Sequence, residues 1–240
     1  MERKGSKKNV VILAAGDFPT HEVPLRALRE ADFVVCCDSA YGQWKTESGK
    51  WKAESGKWKT ESGQWKAEKP FVVVGDGDSL SEADKSALGD RWMQVDEQDY
   101  NDLHKAMAYA MSGRWKAESG KWKVSILGAT GRREDHTLGN ISYLVTFAEE
   151  YPGADIEMLT DHGRFTAMTG CRTFSTFPRQ QVSIFSMNPE QPIDGQGLRW
   201  ALDGFHARRW WQATLNEALG TEVTLRSDGW LVVFRTYEPK

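Results

Sequence analysis

Aspartate residues recur at or just after the ends of the apolar segments in the first part of the sequence. They are Asp38, Asp76, Asp78, Asp99, Asp102 and Asp135, and no histidine or cysteine ligand set accompanies them. Carboxylates are hard oxygen donors and suit Mg²⁺, which commonly keeps several waters and bridges substrate phosphates. A single aspartate after a strand is commonly just a helix N-cap, but N-capping accounts for one or two positions rather than the whole set. The aspartates therefore predict phosphate-transfer chemistry.

The segment GATGRREDH, residues 128–136, is a second candidate for phosphate contact. It follows a predicted strand and precedes a predicted helix, so its glycines let backbone N–H groups face a phosphate while Arg133 neutralises charge. It matches neither the dinucleotide fingerprint nor the P-loop pattern. Two pairs of residues spaced four apart also share helix faces: His136 with Asn140, and Asn101 with Lys105. Each pair could equally be a surface pair.

The segment RRWWQATLNE, residues 208–217, places two adjacent tryptophans just before Thr214 and Asn216. Tryptophan faces attract organic cations by about 0.5 to 2 kcal/mol. Adjacent tryptophans are also typical of a hydrophobic core or a dimer interface, so the segment alone leaves these alternatives open.

The elements that must position these residues alternate along the first part of the chain. Short β-branched segments typical of buried parallel strands lie at residues 9–16, 31–39, 70–79 and 123–131. Helical segments lie at residues 21–30, 81–88, 101–111 and 137–150. This alternation predicts an α/β fold, a doubly wound and mostly parallel sheet whose ligands bind beyond the carboxyl ends of the strands.

After Tyr151 the pattern changes to alternating polar and apolar residues with frequent turn signals, and SDG at residues 227–229 predicts a hairpin. We therefore expect two domains: an α/β nucleotide-binding domain at 1–153 and an all-β sandwich at 154–240.

A seven-residue repeat interrupts the α/β pattern at residues 42–68 and returns at 113–123. Each unit lacks the two apolar positions of a coiled coil, and its glycine costs about 1 kcal/mol within a helix. Interleaved Lys and Trp could bind nucleic acid, although the Glu of each unit dilutes the charge and favours a solvated surface. Because the units can be encoded by a seven-nucleotide repeat, we infer DNA slippage as their origin. We expect the first array to supply the crossover between two parallel strands.

Composition excludes several functional classes. The net charge is -3 with 27% charged residues, so the overall balance indicates neither a nucleic-acid nor a membrane partner. The apolar stretch near the amino terminus is too short for a signal or membrane helix, which predicts a cytoplasmic protein. Cys36, Cys37 and Cys171 form no C-x-x-C motif and are expected to be reduced core residues.

The ordered motifs resemble those of the thiamine pyrophosphokinase family. They are DSA at 38–40, GDGDS at 75–79, DYND at 99–102 and GATGRREDHTLGN at 128–140, followed by QQVSIFSM, GLRWAL and TLNE in the second domain. The resemblance implies a homodimer with the active site at the subunit interface. It also implies transfer of pyrophosphate from ATP to the thiamine hydroxyl, with Mg²⁺ and without nucleic acid or membrane.

The resemblance also implies roles for individual residues. Catalytic residues would be Asp76, Asp78, Asp102, Asp135 and Arg133, with Asp76, Asp78 and Asp102 holding the metal. ATP or its phosphates would contact Asp38, Ser79, Asp99, Asn101, Lys105, Gly128, Thr130, Gly131, His136 and Asn140. Thiamine would contact Trp211, Thr214 and Asn216.

One residue departs from the family pattern, because Ser39 stands where the family usually has glycine. If that glycine serves a positive φ or a close backbone approach, Ser39 would weaken nucleotide binding. Two rival functions therefore accompany the kinase prediction: a catalytically weakened thiamine or nucleotide sensor on the same fold, and a nucleic-acid-binding module formed by the Lys-Trp arrays.

Overall fold

A computed structural model describes residues 7–55, 58–59, 65–66, 69–113 and 122–239. The chain divides into two units. The first comprises Met1–Asn140 and Gly153–Asp161, and the second comprises Ile141–Pro152 and His162–Lys240. No helix within the described ranges is long and apolar enough to span a bilayer.

Parallel strands and intervening helices form the first unit. In chain order the elements are β1 (Lys8–Leu13), α1 (Glu22–Glu30), β2 (Phe33–Cys37), α2 (Tyr41–Ser55), β3 (Trp58–Lys59), β4 (Trp65–Lys66), β5 (Phe71–Gly75), α3 (Glu82–Leu88), β6 (Trp92–Gln94), α4 (Asp102–Met111), β7 (Trp122–Leu127), α5 (Glu134–Glu150) and β8 (Ala154–Leu159). Short 3₁₀ turns occupy Asp38–Ala40 and Gly89–Arg91. Helix α5 begins in this unit, and its residues from Ile141 onward belong to the second.

The sheet of the first unit has the strand order β8-β7-β1-β2-β5-β6, and each of these neighbouring pairs is parallel. The chain moves outward from β1 through β2, β5 and β6, then returns to the other side of β1 for β7 and β8. This reversal makes the sheet doubly wound, which confirms the predicted fold, and its switch point lies between β1 and β7. All 5 residues of β2 are buried, as expected for a strand covered on both faces.

Strand β8 differs from the sequence-based expectation, which assigned residue 154 onward to the β domain. It pairs in parallel with β7 and belongs to the first unit. Its polar positions are paired with lysines: Lys7 Nζ lies 2.8 Å from Asp155, and Lys123 Nζ lies 3.1 Å from Glu157. These ion pairs let an alternating sequence, normally typical of antiparallel strands, occupy a parallel sheet.

The first repeat array supplies the crossover after β2, as expected, and does so as helix α2. Its first tryptophan, Trp44, is only 2% exposed, and its ring centroid lies 5.6 Å from that of Phe71. Lys45 Nζ lies 3.0 Å from Asp84. The first repeat unit, residues 42–48, therefore contributes Trp44 to the folded core, whereas its Gly42, Lys45 and Thr46 are exposed, as expected for a solvated surface. Strands β3 and β4 form a separate antiparallel pair, and residues 114–121 of the second array lie outside the described residues.

The second unit is rich in strands. They are β9 (Gly163–Ser175), β10 (Gln180–Ser186), β11 (Ile193–Gln196), β12 (Leu202–Phe205), β13 (Asn216–Glu217) and β14 (Glu222–Pro239). Strand β14 pairs with β9 on either side of a register shift between Ser227 and Leu231, while β11 flanks its first part and β10 its second. The predicted hairpin at SDG is therefore wrong: these residues form an irregularity within one long strand.

A hydrophobic core supports these strands, with Val182, Ile184, Leu225, Leu231 and Val233 all completely shielded from solvent. The cysteine prediction holds for two of the three residues, because Cys36 and Cys37 are buried whereas Cys171 is exposed.

Candidate active site

Asp38 lies directly beyond β2 and is 1% exposed. Its Oδ2 accepts a 3.0 Å hydrogen bond from the Gly77 N–H, and its Oδ1 accepts one from the Ser39 N–H. Gly75 makes room for it, since a Cβ there would lie 2.5 Å from the Asp38 Cγ. Asp38 therefore fixes the turn after β5, and its contact with ATP stays a prediction.

The GDGDS turn presents its two aspartates differently. The Asp78 N–H donates a 3.1 Å hydrogen bond to Asp76 Oδ1, and this bond is the main cause that lowers the pKa of Asp76. Gly77 has a φ of +90°, which glycine adopts without strain. Asp78 and Ser79 are exposed. The turn thus holds Asp76 in place and leaves the next two polar side chains open to solvent.

Asp102 completes a carboxylate cluster at this edge of the sheet. Burial, followed by the neighbouring Asp38 carboxylate, raises the pKa of Asp102 to about 6. Lys105, which is 6% exposed, places its Nζ 3.6 Å from Asp102 Oδ1 and 3.9 Å from Asp76 Oδ2. We use "carboxylate edge" for Asp38, Asp76, Asp102 and Lys105, which include three of the six aspartates that the sequence predicted to converge.

The carboxylate edge fits a magnesium ion by its donor chemistry. Within the described ranges no group of three or more His, Cys, Asp or Glu side chains forms a ready metal cage. Mg²⁺ does not require such a cage, because it usually binds through one or two carboxylates, waters and substrate phosphates. Asp76 and Asp102 already share one cationic neighbour, Lys105, so the cluster attracts positive charge.

The predicted phosphate segment lies on the other side of β1. Gly128 and Gly131 have φ values of +62° and +81°, and a Cβ at Gly131 would lie 2.2 Å from an Asp17 carboxylate oxygen. The Gly16 N–H donates to the Gly128 carbonyl at 2.6 Å, and the Asp17 N–H donates to the Thr130 carbonyl at 2.9 Å. We call these hydrogen-bonded segments, residues 14–17 and 128–131, the "paired loops"; they lie at the switch point of the sheet.

Two asparagines connect helix α4 to the paired loops. Asn101 caps α4 by accepting from the His104 N–H at 3.1 Å, and its Nδ2 donates to Asn140 Oδ1 at 3.3 Å. Asn140 in turn donates to the Ala129 carbonyl at 2.9 Å. The structure therefore brings together two residues that spacing alone left as surface candidates. Asp99, just before α4, is exposed, and its N–H donates to the Glu97 carboxylate.

Arg133 and Asp135 bind each other. Arg133 Nε donates to Asp135 Oδ1 at 3.0 Å, and a second bond joins the same two side chains. The hydrogen bonding from Arg133 is the main cause that lowers the pKa of Asp135 to about 2. Both side chains are mostly exposed, as is the adjacent His136. Asp135 is consequently a weak base, and Arg133 neutralises this carboxylate before any phosphate binds.

The predicted thiamine residues of the second unit have unlike environments. Trp211 is 73% exposed, and Thr214 Oγ1 donates to the Trp211 carbonyl at 2.7 Å. Asn216 is 4% exposed, and it accepts from the Trp200 N–H at 3.1 Å and donates to the Trp200 carbonyl at 2.8 Å. Asn216 therefore positions the Trp200 segment, and its contact with thiamine stays a prediction.

Trp200 is a functional candidate that the sequence reasoning did not select. It is 55% exposed although both of its backbone polar groups are held by Asn216. Trp200 lies in the GLRWAL motif, which could have identified it, but a single tryptophan in a β domain is more commonly a core residue.

Ser39 does not need the freedom of glycine. It is exposed in the 3₁₀ turn after β2, and among the described non-glycine residues only Arg132, Arg179 and Leu215 have positive φ. A need for a positive φ is therefore absent at this position, and the effect of Ser39 on close approach of a nucleotide stays a prediction.

Two sequence models of one enzyme family match successive parts of the chain. Residues 25–156 match "thiamin pyrophosphokinase, catalytic domain", and residues 163–234 match "thiamin pyrophosphokinase, substrate-binding domain". The catalytic-domain match alone spans more than half of the chain. The chain therefore belongs to the thiamin pyrophosphokinase family.

Individual relatives agree with this assignment. Thiamine pyrophosphokinase 1 of Oryza sativa subsp. japonica is 36% identical over 145 residues, which cover 56% of this chain and 53% of the relative. The chain thus spans about half the length of the curated relatives it matches.

Solved structures share the fold. Thiamin pyrophosphokinase from Candida albicans superposes with a TM-score of 0.72 at 15% identity, covering 96% of this chain and 90% of that one. The yeast enzyme gives a TM-score of 0.73 at 14% identity, covering 97% and 87% respectively.

Proposed function

We propose that this protein is a thiamine pyrophosphokinase, which transfers the pyrophosphoryl group of ATP to the hydroxyl of thiamine and releases AMP and thiamine diphosphate. The observation that carries the proposal is the carboxylate edge, where Asp76 and Asp102 converge on Lys105 beside the paired loops. Family membership supports the choice of acceptor, because the second family match is described as a substrate-binding domain.

The residues divide the work of binding the triphosphate. Asp76 and Asp102 would hold Mg²⁺, with the exposed Asp78 as a third oxygen donor. When bound, the metal neutralises charge on the phosphate oxygens. Lys105 supplies a second positive charge, and its burial keeps that charge in one place. The glycines of the paired loops let the two segments pack closely, since a Cβ at Gly16, Gly128 or Gly131 would lie 2.2 to 2.6 Å from an atom of the facing loop.

In the reaction, the thiamine oxygen bonds to the β-phosphorus while the bond from that phosphorus to the α–β bridging oxygen breaks. The bridging oxygen leaves with AMP, and the hydroxyl proton is lost to solvent or to an acceptor in the site. A carboxylate with a pKa of about 2 is poorly suited to remove that proton, so Asp135 serves to orient the hydroxyl. This division of roles suits a loose transition state, in which positioning and charge stabilisation dominate.

Thiamine carries a thiazolium cation, which exposed tryptophan faces attract. Trp211 and Trp200 are the candidates in the second unit, with Asn216 and Thr214 holding the backbone around them. A homodimeric active site and a cytoplasmic location stay predictions of the resemblance and the sequence.

The direct test incubates purified protein with ATP, Mg²⁺ and thiamine and measures AMP and thiamine diphosphate by chromatography. We expect both products in equal amounts, and none when EDTA is present. Saturable thiamine binding without either product would instead support the sensor function and contradict the proposal.

A further inference from the structure

A side chain from the first repeat unit contacts one of the paired loops. Gln43, in helix α2, donates a 3.1 Å hydrogen bond from Nε2 to the Gly16 carbonyl. Gly16 in turn donates its N–H to the Gly128 carbonyl at 2.6 Å, and the next residue, Asp17, donates to Thr130 at 2.9 Å. A single amide therefore connects the repeat to the segments at the switch point of the sheet.

The contact beyond Gly16 is tight. A Cβ at Gly16 would lie 2.2 Å from the Thr130 carbonyl oxygen and 2.5 Å from that of Gly128, so the two backbones touch without an intervening side chain. Such backbone packing leaves little room for independent movement of the two loops. A shift of the Gly16 carbonyl would consequently move the segment that contains Gly128 and Thr130.

Attachment of helix α2 to the fold does not depend on this amide. Trp44 is buried against Phe71, and Lys45 Nζ lies 3.0 Å from Asp84, so the next two residues already fix the helix. The Gln43 Oε1 atom is buried and has no hydrogen-bond partner among the described residues, which opposes folding. An apolar side chain of similar length would avoid that cost, so stability alone does not account for glutamine at this position.

We propose that Gln43 is a positioning residue for ATP, which holds the Gly16 carbonyl and thereby fixes the paired loops in the geometry that receives the triphosphate. This inference rests on the proposed function for the identity of the nucleotide. It assigns a functional contact to the first repeat unit, whereas the later units have no such assigned role.

The test compares Gln43→Met with the matched variant Lys50→Met. Lys50 occupies the same position in the second repeat unit, is exposed, and places its Nζ 2.6 Å from the Glu47 carboxylate. Binding of an ATP analogue with a methylene α–β bridge is measured by titration calorimetry in Mg²⁺, alongside the KM for ATP, the KM for thiamine, kcat and the melting temperature.

We expect Gln43→Met to weaken analogue binding and raise the KM for ATP by about 2- to 12-fold, the range for one lost neutral hydrogen bond. The KM for thiamine and kcat should stay within twofold of the wild type, and the melting temperature should not fall. Lys50→Met should match the wild type throughout. Gln43→Glu should be worse than Gln43→Met, because a carboxylate oxygen would face the Gly16 carbonyl.

The inference is overturned if Gln43→Met and Gln43→Glu bind the analogue as tightly as the wild type. It is also overturned if both KM values rise together with a lower melting temperature, since that pattern reports general damage. Analogue binding requires no turnover, so a wild-type protein that binds it but makes no thiamine diphosphate refutes the proposed function while leaving this test valid.

Discussion

The carboxylate edge of the first unit and the two exposed tryptophans of the second, Trp200 and Trp211, differ in how firmly the fold holds them in place. Asp38 is 1% exposed and both of its oxygens accept backbone hydrogen bonds, whereas Trp211 is 73% exposed and Trp200 is 55% exposed. Like charges repel, so a carboxylate cluster must be held by the backbone and by a counter-cation before it can bind anything. Aromatic faces need no such restraint, although the Arg199 guanidinium already lies 5.2 Å from the Trp200 ring centroid. The groups proposed to bind phosphate are thus held in place in advance, and the rings proposed to bind thiamine are not.

The largest expected effect comes from Asp102→Asn, which removes one charged oxygen from the carboxylate edge. Turnover should fall on the order of 100-fold or more, as for other losses of preorganised electrostatic groups. The melting temperature in metal-free buffer should rise, because the folded protein no longer holds this carboxylate beside that of Asp38.

The stabilisation by Asp102→Asn should depend on pH. Because the pKa of Asp102 is raised from 3.8 to about 6, ionising it costs the folded wild type stability as the pH rises through that range. The gain in melting temperature should therefore be larger at pH 7.5 than at pH 5. An equal gain in melting temperature at both pH values, or a loss, would show that the charge of Asp102 does not destabilise the folded protein.

Trp211→Ala and Trp200→Ala test the two exposed tryptophans that are proposed to bind thiamine. Each should raise the KM for thiamine by about 2- to 30-fold, corresponding to the 0.5 to 2 kcal/mol of a cation–π contact. The KM for ATP should stay within twofold, and melting temperatures should change little because both rings are exposed. Steady-state kinetics with each substrate varied in turn provides the measurement. Equal changes in both KM values would place these rings outside a thiamine pocket.

Asp135→Asn should have a smaller effect. Because the pKa of Asp135 is already about 2, it does not supply an efficient base, and removal of its charge should lower kcat by about tenfold or less. The pH dependence of kcat between pH 6 and pH 9 should keep its shape. A loss above 100-fold with a changed profile would show that Asp135 removes the hydroxyl proton.

Deletion of one repeat unit should have the smallest effect. Removing residues 49–55 keeps Gln43, Trp44 and Lys45 in place and shortens the crossover, whose loop-closure cost changes by less than about 0.6 kcal/mol. Activity should stay within twofold, as judged by initial rates. Removing residues 42–48 is a different change. It moves Lys50, Trp51 and Lys52 into the places of Gln43, Trp44 and Lys45, so that lysine replaces Gln43. If the first deletion abolishes turnover in a protein that still melts cooperatively, the later units have a function of their own.

The sequence was sufficient to predict the order of the elements and the convergence of three of the six aspartates, because parallel strands end at a common edge. It was not sufficient to distinguish Asp38, which accepts hydrogen bonds from the Gly77 and Ser39 N–H groups, from Asp102, whose pKa is raised by burial and by Asp38. That distinction depends on contacts across strands far apart in sequence. Likewise, the similar repeat units gave no local sign that Trp44 would pack against Phe71, because that contact depends on where the chain lies after β2.

The Asp135 side chain illustrates a further limit. Its motif position implied a catalytic group, but its charge state depends on a bond with Arg133 that motif spacing does not specify. Strand β8 was misassigned for a similar reason, because partners on other strands neutralise its polar residues. In both cases the sequence pattern does not specify the ion pair that determines how the residue behaves.

Phosphorus-31 NMR of the complete reaction tests the central claim most directly, because it shows which bond of ATP breaks. Wild-type protein with ATP, Mg²⁺ and thiamine should convert the three ATP resonances into those of AMP and a diphosphate ester, in equal amounts and without ADP. Appearance of ADP with a thiamine monophosphate ester, or of ADP with inorganic phosphate, would mean attack at the γ-phosphorus and would contradict the assignment of this carboxylate edge to pyrophosphoryl transfer.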